Sequence, residues 1–320
     1  MRERLAALEA ACSRSDDDQI VEALRTALAD RHYRLVARAA ELAGDRLLYA
    51  VESELRGAYA RFLDDPIKRD PGCTAKGAIA RALVALDCQD ADFYTAGLRY
   101  RQPEPVWGGT TDRAVDLRVT CAIGLAATAE PRALIHLVQL LHDPEPHARC
   151  GAVRAIGCTQ PLAAEAVLRA KVLSGDEEPE VTGEAFAALL QLAEGDALDF
   201  VAGFLEAPEG EVAAMAALAL GASHLDAALE RLRARWAAEP LKDAASRVLL
   251  QAAALHRSVA ALEWLTAVIA EADLDSAEVA LTELARYRRG AQVQHRLAAA
   301  LAARGDARLL ARFAEIFPAS

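Results

Sequence analysis

Apolar residues recur along this chain at the three- and four-residue spacing of an amphipathic helix, and short polar turns interrupt them. Turn residues and helix stop signals pair these segments. The first pair is expected over about 19–29 and 31–43, closing at Gly44, and the second over about 46–63 and 73–86. A third covers 91–99 and 113–127. From there the units tighten: 131–142 with 145–157, 162–173 with 179–193, 196–206 with 209–221, and 224–237 with 241–255. Two further pairs follow, 258–271 with 276–287 and 291–303 with 306–316. No run alternates apolar and polar residues over a strand length, and no strand is expected.

The pattern repeats as a phrase: an acidic or proline-bearing turn, a helix of Ala and Leu or Ile, then Gly. The clearest copy is LVQLLHDPEPHARCGAVRAIG, from Leu137 to Gly157, with echoes in DRAVDLRVTCAIGLA and PEGEVAAMAALALG. A period of roughly 30–45 residues marks a helical solenoid, whose units bury their apolar faces by stacking on one another. The expected fold is therefore an all-α, right-handed α-solenoid of two-helix repeats covering 1–320. It divides into N-terminal repeats with enlarged loops (1–128), regular short repeats (129–257), and degenerate C-terminal repeats with a cap (258–320). About 75 alanines support close helix packing.

One slot in the second helices carries charge. Arg149 stands eight positions before Gly157, Arg118 eight before Ala126, and Lys76 eight before Val84. The same slot holds Thr182 and Ala213 further on. The run with Asp143-Pro144, Ala148-Arg149, Ala152-Val153 and Ala155-Ile156-Gly157 resembles HEAT repeats, in particular the short HEAT-like type also found in phycobilin lyases. The resemblance spans about 113–221 and degenerates elsewhere. It implies that such an arginine pairs with an Asp of a neighbouring turn, so Lys76, Asp112, Arg118, Asp143 and Arg149 are expected to form a structural ladder. It also keeps a bilin- or tetrapyrrole-handling lyase-type protein among the alternatives, as it does a HEAT-like DNA base-repair protein.

Composition narrows the function. The net charge is −11; residues 1–120 hold 18 Lys/Arg and 20 Asp/Glu, and the remaining 200 hold 18 and 27. A phosphate-binding surface shows a basic excess, so the acidic C-terminal two-thirds argues against nucleic acid. The longest apolar run, near Val212–Leu220, is too short for a membrane span. Glu9 interrupts what would be a signal peptide's apolar region, and the chain reads as soluble and cytoplasmic. Cys12, Cys73, Cys88, Cys121, Cys150 and Cys158 form no CxxC pair and read as reduced thiols in small apolar slots.

Catalytic signatures are missing. There is no phosphate loop, dinucleotide fingerprint, nucleophile elbow or HExxH. None of the seven histidines precedes a Glu, which sets aside the di-iron chemistry of the HEAT-like deoxyhypusine hydroxylases. His136, His142, Asp143, His147 and Cys150 lie close in sequence. Only His147 and Cys150 share a helix face, however, and a closed zinc site needs four ligands. Asp143, before Pro144, reads as the N-cap of the next helix. Trp236 and Trp264 fall in first helices and read as core. No metal, cofactor or catalytic residue is expected.

What remains is a pair of enlarged inter-helix loops, 64–72 and 101–112, at the same topological position in consecutive repeats. Packed helices sit about 8–10 Å apart, so these loops should emerge side by side. They and their flanks offer Lys68, Arg69, Arg99, Arg101, Gln102, Glu104, Trp107 and Arg113. A Trp ringed by Arg has the composition of an interface anchor. The alternative is that Trp107 folds back over the solenoid edge. The expected function is a protein-binding scaffold or adaptor without chemistry of its own, and its expected partner is another protein offering an acidic segment.

Overall fold

A computed structural model describes residues 1–14, 16–239, 242–288 and 290–318. The chain forms two compact units, Met1–Val167 and Leu168–Ser320. Both are built of stacked helix pairs. Among the described residues, no helix is long and apolar enough to cross a membrane.

In the first unit α1 (Arg2–Arg14) lies against α2 (Asp17–Leu28) and α3 (Tyr33–Asp45), burying Leu8 and Cys12. It precedes the first helix expected from the sequence. Asp16 caps α2 by accepting the Gln19 N–H. The next pair is α4 (Glu52–Arg61) and α6 (Thr74–Ala85), joined by a loop containing the single helical turn α5 (Pro66–Arg69). The expected 46–63 helix is shorter than foreseen, because Leu47 takes a left-handed φ of 53° and a 3₁₀ turn, Tyr49–Val51, leads into α4. The third pair is α7 (Ala91–Arg99) and α8 (Val115–Ala127), and the fourth is α9 (Ala133–Leu140) and α10 (Pro146–Gly157).

The second helices stack in a row, α3 on α6, α6 on α8 and α8 on α10. This position explains α6, which buries Ile79 and Leu83 together with five of its Ala and Gly residues and Lys76. Each fully buried Leu or Ile contributes about 1.5–3 kcal/mol. Small residues let the helices approach. A Cβ on Gly124 of α8 would lie 2.3 Å from the Tyr94 ring of α7.

The division between the units falls within α11 (Pro161–Ser174). The second unit repeats the arrangement. Here α12 (Pro179–Ala202) is interrupted at Glu194, where the backbone leaves the helical region, close to the break expected between 193 and 196. Then come α13 (Gly210–Ala222), α14 (Asp226–Ala238), α15 (Ala244–His256), α16 (Val259–Glu271), α17 (Leu274–Glu283), α18 (Ala291–Arg304) and α19 (Ala307–Ile316). The inner row runs α12, α13, α15, α17, α19, while α14, α16 and α18 pack outside it. The expected helix start at 241 lies outside the described residues. Trp236 is buried and Trp264 half-buried.

Two expectations need correction. Residues 103–112 are not a plain loop but a two-stranded antiparallel ribbon, β1 (Pro103–Val106) and β2 (Gly109–Asp112). Asp143 is not the N-cap residue of α10; Glu145 is, and Asp143 Oδ1 accepts the Glu145 N–H from two residues upstream. The Asp143 carboxylate is thereby left free to meet cations from neighbouring turns.

Candidate functional site

The hairpin is built without an apolar alternation. Arg113 N–H donates to Gln102 O at 2.9 Å, so hydrogen-bonded pairs fall at 102/113, 104/111 and 106/109. Pro103 and Pro105 therefore occupy the outward-facing positions of β1. They need no partner for an N–H they lack, and they close that edge to further pairing. Trp107 and Gly108 make the turn. Gly108 takes φ +87°, a conformation L-residues rarely adopt, and nothing lies near where its Cβ would be.

The base of the hairpin is anchored in the stack. Gln102, expected on the contact surface, is only 1% exposed, because every one of its polar groups is used inside. Its N–H donates to Asp112 Oδ1 at 2.9 Å and its Oε1 accepts the Tyr100 hydroxyl at 2.9 Å. Its Nε2 donates to Asp70 O at 2.9 Å and to Glu104 Oε1 at 2.8 Å. Glu104 Oε1 also accepts the Gly72 N–H at 2.7 Å. The two enlarged loops are thus hydrogen-bonded to each other. Gln102 and Glu104 are the tie and not part of the exposed face.

Beneath the loops lie charges that are almost wholly buried. Lys76 Nζ donates to Asp70 Oδ2 at 2.8 Å and to Phe62 O at 3.2 Å, while Asp70 also receives the Ala75 and Lys76 N–H groups. Arg118, 0% exposed, donates to Asp112 Oδ2 at 2.5 Å, to Asp143 Oδ1 at 3.0 Å and to Tyr100 O at 3.2 Å. Arg101 joins the cluster from the surface: its side chain is exposed, and its guanidinium lies 2.6 Å from the buried Asp143 Oδ2. Arg149 donates to the carbonyls of Asp143 and Pro144. In each repeat the cation stands six residues after its Asp: 70 and 76, 112 and 118, 143 and 149.

Electrostatics match this geometry. Burial raises the Asp112 carboxyl, but hydrogen bonds from the Gln102 and Ala114 N–H groups and from Arg118 outweigh it and hold its pKa below the usual value. The Cys73 thiol is pushed up to about 12 by burial, against the pull of Lys76. Tyr100 is likewise raised, chiefly by burial. The cluster therefore holds engaged carboxylates, thiols held protonated, and cations already spent on partners.

The exposed residues are distributed differently. Trp107 is fully exposed at the hairpin tip and covers nothing. Val106 beside it is also exposed, as is Arg113. Arg99 is exposed at the end of α7, with Nη2 3.5 Å from His136 Nδ1. Lys68 and Arg69 line a cleft with the α2–α3 turn, and no hairpin residue lines it. His147 lies 3.3 Å from Asp116. Among the described residues, no three His, Cys, Asp or Glu side chains converge to hold a metal ion.

The hairpin and the buried role of Gln102 escaped the sequence reading. The available signal was Pro-x-Pro followed by Trp-Gly-Gly, in which the prolines mark an edge and the glycines a turn.

No family model matches the chain, and no curated protein sequence matches it. Among solved structures, the complex of CpcE and CpcF of phycocyanin lyase from Nostoc sp. PCC7120 is similar over 78% of this chain and 93% of that chain, at 19% identity and a TM-score of 0.38.

Proposed function

We propose that the protein is a non-catalytic scaffold or adaptor, built of HEAT-like helix pairs, that uses the 101–112 hairpin to hold an acidic segment of another protein. The observation that carries this reading is Trp107: a fully exposed indole at the tip of a ribbon whose base is tied into the stack by Gln102, Glu104 and Asp112. A large aromatic exposed without cover is unfavourable in a free monomer and is the type of residue that dominates interfaces. Its rigid base lowers the ordering cost of docking. Arg113 and Arg99 supply exposed positive charge near the ends of the ribbon, favouring an acidic partner chiefly through association rate and specificity.

The test is capture from native-cell extract by wild-type protein and by Trp107→Ala with Arg113→Glu. Loss of a hot-spot Trp costs about 2 kcal/mol or more. The specific partner should therefore disappear from the variant's catch while circular dichroism and melting stay at wild-type values. Undiminished capture would place the contact surface elsewhere.

A further inference from the structure

The first unit also contains a cleft of about 480 Å³ between the α2–α3 turn and the segment joining the end of α4 to α5. Four cations line it, Arg31, Arg61, Lys68 and Arg69, against a single carboxylate, Asp30. This is an unusual concentration in a chain of net charge −11. Asp30 is already engaged: its Oδ1 accepts the His32 N–H at 2.8 Å and its Oδ2 pairs with Arg4.

The cations are held in place but not neutralised. Arg61 donates to Leu28 O at the end of α2, which positions its guanidinium without cancelling its charge. Arg69 pairs with Asp64 at 2.9 Å, but both side chains are half exposed or more, and such pairs are worth little. Among the described residues, Arg31 and Lys68 have no ion-pair partner. Like charges gathered at a cleft repel one another, and a multiply charged anion would convert that repulsion into binding. Three of the four cations are guanidiniums, whose planar forks match phosphate oxygens in pairs.

The cleft is larger than a bare phosphate needs and falls within the ~300–1,000 Å³ typical of small-molecule sites. One wall is aromatic. The His32 and Tyr33 rings stack at 5.3 Å with an interplanar angle of 13°, and Phe62 lies at the end of α4. We propose that this cleft binds a small phosphorylated compound, its phosphate held by Arg31, Arg61, Lys68 and Arg69 and its planar apolar body lying against Tyr33. The site goes beyond the hairpin surface: it shares Lys68 and Arg69 with the enlarged loop, but neither Trp107 nor Arg113 lines it.

Isothermal titration of the full chain at low salt with phenyl phosphate, pyrophosphate and phenol tests the assignment. Both phosphates should bind saturably and phenol should not. Arg31→Glu with Lys68→Glu should weaken both phosphates by about tenfold or more, the equivalent of 1.4 kcal/mol. Arg31→Gln with Lys68→Gln should weaken them in the same direction, and serves if the reversal pair fails to fold. Tyr33→Leu should weaken phenyl phosphate several-fold and leave pyrophosphate unchanged. Trp107→Ala with Arg113→Glu should leave both affinities at wild-type values, so the cleft and the hairpin stand or fall separately. Absence of saturable phosphate binding, phenol binding as tight as phenyl phosphate, or equal affinity in the charge variants would overturn the proposal.

Discussion

Replacing Arg118 with Met keeps the length of the side chain and removes its charge, leaving two carboxylates without their shared cation. Removing one partner of a buried pair typically costs about 3–5 kcal/mol, because an uncompensated charge stays behind. The local geometry reduces that figure. Asp143 keeps Arg101 at 2.6 Å and the Glu145 N–H at 3.0 Å, while Asp112 keeps the N–H groups of Gln102 and Ala114, each at 2.9 Å. Tyr100 O loses a donor at 3.2 Å. The balance is a loss of about 2–4 kcal/mol. At about 2–4 °C per kcal/mol for a unit of this size, the first unit should melt roughly 5–15 °C lower. Circular dichroism melts and urea titrations of wild type, Arg118→Met, Asp143→Asn and the double variant would measure it. If the cost is the stranded charge, Asp143→Asn should be damaging alone but should recover part of the loss in the Arg118→Met background, a coupling of at least about 0.5 kcal/mol. A change within about 0.5 kcal/mol for Arg118→Met, or strict additivity of the two substitutions, would refute the argument.

Other outcomes follow from the same packing. Asp112 has a lowered folded pKa, so it contributes stability above the unfolded carboxyl value of about 3.9, and that contribution is lost as the pH falls through the folded pKa below it; Asp112→Asn should lower stability at neutral pH and flatten the acid limb of a stability–pH curve. Gly221→Ala should destabilise the second unit by about 1–3 kcal/mol, since its Cβ would stand 2.1 Å from Ala252 O, a backbone atom that cannot turn aside; unaltered urea unfolding would show that α13 and α15 can separate without cost. In native protein a maleimide should modify the exposed Cys158 first, whereas the buried Cys12, Cys73, Cys88 and Cys121 should react only on unfolding, as peptide mapping would reveal.

The helices were legible because their cause is local. The 3.6-residue recurrence of Ala and Leu, capping residues such as Asp16, and the spacing of Lys76, Arg118 and Arg149 are all written within a turn or two of chain. The same locality explains why two enlarged loops were visible as excess length between helices. Their internal order was not visible. The ribbon is held by backbone register, and its prolines succeed by needing no partner, so it leaves no alternating pattern to read. Gln102 carries no sequence mark of burial; its place depends on Asp70 O and on Glu104 reaching Gly72, about thirty residues away. The cleft lined by Arg31, Arg61, Lys68 and Arg69 is a case of the same kind, because residues 30–33 and 61–69 meet only when α2–α3 and α4–α6 stack. Amino-acid order alone determined the helical repeat and its charged slot. Tertiary structure decided which of the loop residues are tie, tip or cleft, because burial and ion pairing are properties of neighbours in space and repeat stacking chooses those neighbours.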